Sequence, residues 1–453
     1  MPNISSLNSA YSGLAAQRRV LDVTAHNIAN ANTKGYHVQR VDLVSAGQSA
    51  TSGLFAGASK TNGVNSDALS RSYDELLAAR ASREEASLSS ATTSSSTMAA
   101  IEQIFPEPGD TGIAHQLDQF WSSWSGVATS PGSTAARTEL LSKAGALTSS
   151  LNRAAADLQG VHDAAAARTS SLAIDVNTLA KQLADVNKAI TTSLGSNPDL
   201  LDHRDVLLNS LAKLTGATTR PAADGLVDVY VGNRALVVGE YTEQMDGSSG
   251  TLTWTNGNQP VDAPSGVAAA LAATMTDVVP RYRAALDTVA ASLVAGVNAL
   301  HSAGYDTSST TGRTFFDPTR TTAATIALSV DVAGAPGNIA AGAPVLPGPT
   351  APGVLDGEQA RAIARLADSV TGPNTAYRTL ISGLATETNA ATSRAALQEQ
   401  VAAGATRDAE SVGSVNLDEE MANLVSAQRA YEANARVIKA VDEMLSILMQ
   451  SFR

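Results

Sequence analysis

The sequence predicts a mainly α protein of elongated, nested domains. Three observations point there. Apolar residues at heptad spacing run along both ends of the chain. Leu and Val at helical spacing fill long interior stretches. Short strand-like runs between Gly and Asn turns interrupt the helices in only two places. The expected arrangement pairs the N- and C-terminal helices as a coiled coil, beside a helical-bundle body with small β-rich outer insertions. The terminal coiled-coil domain takes 1–50 and 412–453. The helical body takes 51–215, 265–305 and 355–411, and the β-rich insertions take 216–264 and 306–354.

The first helix rests on Ile4, Leu7, Tyr11, Leu14, Arg18, Leu21, Ala25 and Ile28, spaced alternately by three and four with only Arg18 out of type. Ser5 or Ser6 is placed to cap it, and the turn-forming run Asn30-Ala31-Asn32-Thr33-Lys34-Gly35 ends it. Asp67 to Phe105 reads as helix, with Leu69, Tyr73, Leu76 and Arg80 on one face and Ser66 as cap. Its Ser- and Thr-rich middle, Ser89 to Thr97, has low propensity and needs tertiary support. Pro106 and Pro108 stop it. Ile113 to Val127 is a short helix burying Leu117, Phe120, Trp121 and Trp124, a spacing typical of core.

Thr134 to Ile190 is the longest helix, with Leu140, Leu147, Leu151 and Leu158, then Leu172, Val176, Leu179, Leu183, Val186 and Ile190, at helical spacing. Gly195 to Pro198 breaks it, and Leu200 to Leu214 resumes as helix. Leu226 to Val231, Ala235 to Val238 and Thr251 to Thr255 read as strands. Gly266 to Leu300 returns to helix, kinked at Pro280. Thr307 to Gly353 is loop-rich with a strand at Thr325 to Val330, and Asp356 to Arg407 is helix. In the last helix Leu417, Leu424, Tyr431, Ile438, Leu445 and Phe452 recur every seven residues. Ala427, Val441 and Leu448 flank them on one side, and Met421, Ala435 and Met449 on the other. Asn416 with Glu419 forms a capping box, and Asp418, Glu419 and Glu420 suit the positive end of the helix dipole.

Composition excludes several classes. The net charge of −12 argues against nucleic acid and anionic membrane surfaces. The absence of cysteine excludes disulfides, thiolate zinc sites and a cysteine nucleophile. The apolar run Gly266 to Val279 is broken by Thr274, Thr276 and Asp277 and falls short of the ~20 residues a membrane span needs. The N-terminus lacks the pattern of a secretory signal, and Asp22 and His26 spoil a twin-arginine reading of Arg18-Arg19. The six His residues form no H-E-x-x-H pair, and no Walker A loop, nucleophile elbow or Rossmann glycine run occurs. Ser210 and Lys213 match S-x-x-K by chance on an amphipathic helix. His203, Arg204 and Asp205 read as a solvated helix start. No catalytic, cofactor-binding or metal residue is expected, and no enzyme.

A lone amphipathic helix buries nothing to offset the roughly 1–2 kcal/mol per residue that ordering costs. The two ends must therefore pair or await a partner. His26-Asn27-Ile28-Ala29-Asn30-Ala31-Asn32-Thr33-Lys34-Gly35-Tyr36 resembles the N-terminal signature of the bacterial flagellar rod, hook and hook-associated family. Val415-Asn416-Leu417-Asp418-Glu419-Glu420-Met421, then Gln428-Arg429-Ala430-Tyr431, is similar to its C-terminal signature. Leu201 to Leu208, Tyr282 to His301 with Gly304-Tyr305-Asp306, and Thr314 to Asp317 resemble the helical interior of the hook-associated branch. The resemblance implies a self-assembling structural subunit at the hook–filament junction. It further implies a homo-oligomeric ring and contacts with hook protein and hook-associated protein 3. An export chaperone and an extracellular location reached through the flagellar type III apparatus complete the expectation. The positions it assigns to assembly are Leu7, Tyr11, Leu14, Leu21, Asn27, Ile28, Asn30, Thr33, Gly35 and Tyr36 in the first segment. In the last they are Asn416, Leu417, Glu420, Leu424, Gln428, Tyr431, Ile438 and Leu445. A hook or distal rod subunit, a hydrolase on an axial scaffold and an extracellular coiled-coil adhesin are the alternatives.

Overall fold

A computed structural model describes residues 2–45, 63–193, 197–222, 225–344, 353 and 355–451. The described residues are 67% helical with only small sheets among them, in agreement with the mainly α class. Helices α1 (Pro2–Asn30) and α10 (Leu417–Ser451) pair antiparallel, because Asn27 meets Glu420 while Gly13 meets Asn434. α1 already starts at Pro2, so Ser5 and Ser6 lie inside it and do not cap it. Phe452 and Gly195 lie outside the described residues.

After α1 the chain forms an antiparallel ribbon that the helical periodicity concealed. It consists of β1 (Gln39–Ser45) and β2 (Val64–Arg71). Ser66 and Leu69 therefore sit in a strand, and α2 (Glu75–Ile104) starts later than Asp67. Its cap is Asp74, whose carboxylate accepts from Leu76 N at 2.9 Å and Leu77 N at 3.0 Å. The Ser- and Thr-rich middle of α2 is helical. Ser89, Thr93 and Ser96 donate their hydroxyls to carbonyls one turn back, at 2.9, 2.7 and 2.8 Å. That satisfies within the helix the groups that otherwise compete with it. α2 packs antiparallel along α9 (Pro373–Gly413), where Arg80 approaches Asp408 and Ser95 approaches Thr392. Residues buried in these two helices are small in this stretch, including Ala86, Thr93, Ala391, Ala402 and Ala405.

Two hydrophobic cores follow. The first joins α3 (Ile113–Thr129), the first half of α4 (Thr134–Thr192), α7 (Val279–Ala303), α8 (Glu358–Ala364) and the start of α9. At its centre Trp124 lies 5.1 Å from Phe315 and 6.3 Å from Phe120, and Phe315 lies 5.0 Å from Phe316. Trp121 is buried too and donates to Asn374 Oδ1 at 2.8 Å, so both residues of the Trp pair are core. The expected strand at Thr325–Val330 does not form. A single bridge joins Phe316 to Leu328, and Phe315, Phe316, Ile326, Val332 and Ile339 are buried in the helical core instead. His301 pins this loop-rich stretch. Its Nδ1 donates to Arg313 O at 2.8 Å, and its Nε2 accepts from Ala340 N at 2.9 Å. Burial lowers its pKa to about 4.

The second core joins the other half of α4 with α5 (Pro198–Thr215), α6 (Gly266–Ala273) and an antiparallel meander. The meander runs β3 (Thr218–Pro221), β4 (Val227–Val231), β5 (Arg234–Val238) and β6 (Tyr241–Thr242). A smaller pair, β7 (Met245–Asp246) and β8 (Thr253–Trp254), places Met245 and Trp254 in the same core. The strands read from sequence correspond to β4, β5 and β8.

The helical run 266–303 changes form just before Pro280. A π-helical turn at Thr274–Val278 interrupts it, and Pro280 sits in the first turn of α7, where its missing N–H costs nothing. Taken whole, this run is long and apolar enough to cross a membrane, unlike its first part alone. Its Val279, Leu286, Val289, Leu293 and Val297 are spent in the aromatic core. The stretch Asp356–Arg407 is likewise split, by a 3₁₀ turn at Arg365–Asp368 and a bend, and α9 runs on to Gly413.

Candidate assembly site

The two terminal signatures meet at one polar joint. α1 ends where Asn30 Nδ2 donates to His26 O at 3.0 Å and Thr33 Oγ1 donates to Asn30 Oδ1 at 3.2 Å. Gly35 then turns with φ +80°, and a Cβ there would collide with Val206 of α5. The turn swings Tyr36 back onto α1, where its hydroxyl donates to Asn27 Oδ1 at 2.7 Å. The same oxygen accepts from Gln39 N at 3.0 Å. Asn27 Nδ2 donates to Gln39 O and to Glu420 Oε2, both at 2.9 Å. All four hydrogen-bonding positions of this amide are used. Asn27 and Glu420 are both 0% exposed. Arg40 closes the far side, reaching Glu420 Oε1 at 2.6 Å and Glu419 Oε1 at 2.8 Å.

Three carboxylates of α5, Asp199, Asp202 and Asp205, lie on one face at i, i+3 and i+6. Asp199 accepts from Gln39 Nε2 at 2.7 Å. Asp202 accepts from His37 N at 3.0 Å and from Arg71 Nη1 at 2.8 Å, with His37 Nδ1 at 2.7 Å. Asp205 pairs with Arg71 at 2.7 Å. The Arg71 guanidinium stacks 4.1 Å above the Tyr73 ring, and His37 meets that ring edge-on. Val38 N donates to Gly413 O at 2.8 Å, and a Cβ on Gly413 would strike His37 and Ser72 O. The joint thus ties the first helix, the ribbon, α5 and the α9–α10 corner together.

Its electrostatics follow from burial. Burial, then the charges of Asp199, Asp202 and Glu420, push the Tyr36 phenol far above its usual range, so it remains a donor. Burial and Asp205 push Tyr73 up to about 12. Burial opposes the charge on Arg71, but Asp205 and Asp202 outweigh it and raise its pKa. The solvated reading of His203-Arg204-Asp205 is corrected here. Only His203 is exposed; Arg204 is buried and donates to Gly225 O at 2.9 Å.

Beyond the joint, the helices do not meet along the expected seam. The buried stripe is Ala10, Ala16, Thr24 and Asn27 on α1 and Glu420, Ala427 and Val441 on α10, with Gly13 against the Asn434 side chain. Small side chains let the backbones approach most closely, so the large ones flank the contact. Leu7, Leu14, Leu21 and Ile28 are half-buried, as are Leu424, Tyr431, Ile438 and Leu445. Tyr11 is 67% exposed, and Leu417, Gln428 and Ala25 are exposed. Asn416 caps α10 through Asp418 N at 3.0 Å and, more weakly, Glu419 N at 3.4 Å. The Glu419 side chain points to Arg40 instead of completing the box.

No group of three or more metal-ligating side chains occurs among the described residues. Ser210 donates to Val206 O, and Lys213 pairs with Glu85 at 2.8 Å, so the two residues of the S-x-x-K match face different partners. Sequence reasoning missed Gln39, Arg40, Arg71, Asp199 and Asp202. The i, i+3, i+6 spacing of carboxylates on α5 was the one available signal.

Paired termini, a helical body and this joint define a flagellar axial protein. Residues 7–37 match the flagella basal body rod protein family, and 414–451 match the flagellar basal body rod FlgEFG protein C-terminal family. Residues 98–316 match the flagellar hook-associated protein FlgK helical domain. The chain is 26% identical to flagellar hook-associated protein 1 of Bacillus subtilis, over 97% of this chain and 96% of that one. It is also 26% identical to flagellar hook-associated protein 1 of Salmonella typhimurium, over 69% of this chain and 59% of that one. The flagellar hook junction protein FlgK of Burkholderia pseudomallei shares the fold, with TM-score 0.66 at 15% identity. The match covers 74% of this chain and 100% of that one. Along almost its whole length the chain is thus similar to flagellar hook-associated protein 1.

Proposed function

We infer that this chain is a structural subunit of the bacterial flagellum that builds the hook–filament junction by self-assembly through its terminal helices. One observation carries the terminal helices into that role. After pairing with α1, α10 still presents Leu417, Met421, Val425, Val437, Met444, Ile447 and Met449 to solvent. Burying a large apolar side chain is worth roughly 1.5–3 kcal/mol, so neighbouring copies that cover these side chains supply the drive to associate. The flanking seam from Leu7 to Ile28 and from Leu424 to Leu445 extends the same surface. The polar joint, with Asn27, Tyr36 and Glu420, sets the direction in which it is presented.

The subunit forms a ring with copies of itself, between hook protein and hook-associated protein 3. The paired terminal helices are innermost, the helical body surrounds them with Phe315, Phe316, Ile326, Val332 and Ile339 of the loop-rich stretch packed into its core, and the sheet-bearing 216–264 lies outermost. An export chaperone covers α10 until the chain leaves through the flagellar type III apparatus. The role is mechanical, and we assign it no catalytic step. Chain lacking residues 417–453 should fail to add to hook ends in vitro while its body keeps its helical signal; normal addition overturns assembly through the terminal helices.

A further inference from the structure

Thr-Asn-Gly occurs twice, at Thr61-Asn62-Gly63 and at Thr255-Asn256-Gly257. In Asn-Gly the backbone nitrogen of the glycine can reach the side-chain amide carbon, because no Cβ stands in the way. The second copy lies in an exposed turn after β8. Gly257 has φ +85°, and a Cβ there would touch nothing within 4 Å. Arg234 distinguishes this turn. It is ion-paired with Glu243 and lies 5.0 Å over the Trp254 ring, and its Nη2 donates to Asn256 O at 2.8 Å. That oxygen belongs to the peptide whose N–H is carried by Gly257.

We propose that Asn256 is a self-modification site, at which Arg234 promotes conversion of asparagine to aspartate and isoaspartate. When solvent base removes the Gly257 N–H proton, negative charge spreads onto Asn256 O. The guanidinium already donates to that oxygen, as a preorganised donor does to an oxyanion. The Gly257 nitrogen then bonds to Asn256 Cγ, the Cγ–Nδ2 bond breaks, and ammonia leaves with a proton from solvent. Water opens the cyclic imide at either carbonyl. The reaction is redox-neutral and consumes one water. It adds one negative charge beside Arg234, in the region built around the sheet.

The full chain incubated in mildly alkaline buffer, followed by peptide mapping with isoaspartate detection, reads both Thr-Asn-Gly sites in the same molecules. Asn256 should convert faster in the folded chain than in urea. Arg234→Ala should slow it about tenfold, below the 10²–10³ of a buried oxyanion donor because the turn is solvated. Asn62 should convert at one rate in every variant. Arg234→Lys, which keeps the charge beside Trp254 and Glu243, should retain part of the effect if Arg234→Ala disturbs the turn. Equal rates at Asn256 in wild type and both variants, or a folded rate no higher than the rate in urea, overturns the proposal.

Discussion

The aromatic core and the terminal helix pair are built from the same secondary structure and finished differently. Around Phe120, Trp124, Phe315 and Phe316 the large side chains point inward and are fully buried. On α1 and α10 the buried residues are Ala10, Ala16, Thr24, Asn27, Glu420, Ala427 and Val441, and much of the large apolar surface faces out or sits at the margin. The first region is complete within one chain. The second is specified by polar fit, through the fully bonded Asn27 amide, and keeps its hydrophobic drive in reserve. A helix pair can thus be given register by one buried network without spending its apolar face.

Four measurements break or sharpen this contrast. Trp124→Ala should have the largest effect, about 3–5 kcal/mol of body stability in denaturant unfolding. Amide exchange near Asn27 should change little by comparison if the two regions are independent. Acid comes next. The folded pKa of His301, about 4, lies below its ordinary value because of burial, with Arg137 adding to the effect and the Arg313 carbonyl, Asp331 and Asp306 opposing it. The fold holds the neutral imidazole, so its contribution is complete above pH ~6.5, is lost as pH falls toward 4, and levels off below. It amounts to about 3 kcal/mol. His301→Gln should flatten that part of the pH–stability curve; an unchanged slope contradicts the assignment.

Asn27→Ala should cost about 2 kcal/mol, because it strands partners of a buried amide. Hydrogen exchange should rise in residues 24–30 and 417–427 and stay constant in α7. A cycle with Glu420→Ala should show strong coupling, and simple additivity would separate the two residues. Ile447→Glu should have the smallest effect on the monomer, within about 0.5 kcal/mol, as at an exposed site. It should nevertheless impair addition to hook ends, and normal addition would show that this outward apolar surface is not used.

The long helices were legible because Leu140 to Leu158 and Leu172 to Ile190 repeat at helical spacing, and periodicity survives whatever the helix packs against. The pairing face of α1 and α10 was not. A heptad reading ranks positions by size, while the contact selects Ala, Gly, Thr and Asn for close approach. The strand at Val64–Arg71 was hidden because Leu69 and Tyr73 also fit a helical face. The joint was half legible. Asn27, Tyr36 and Glu420 stand in the terminal signatures, but Arg71 and Asp202 lie 131 residues apart and each alone reads as ordinary surface charge. Only the fold shows that they are one network.

The 59-residue helix α4 serves both cores. Leu158 is its last buried leucine in one, Ala165 its first buried residue in the other, and Gly160 lies between them. At 1.5 Å per residue it is a strut of about 88 Å. Gly stabilises a helix less than Ala does, by roughly 0.5–1 kcal/mol, so the helix is most easily opened at Gly160. A bending load on the strut is therefore least resisted near Gly160, where the grip of one core gives way to that of the other. The load carried between the two cores of a subunit thus passes through one helix with a glycine near its middle.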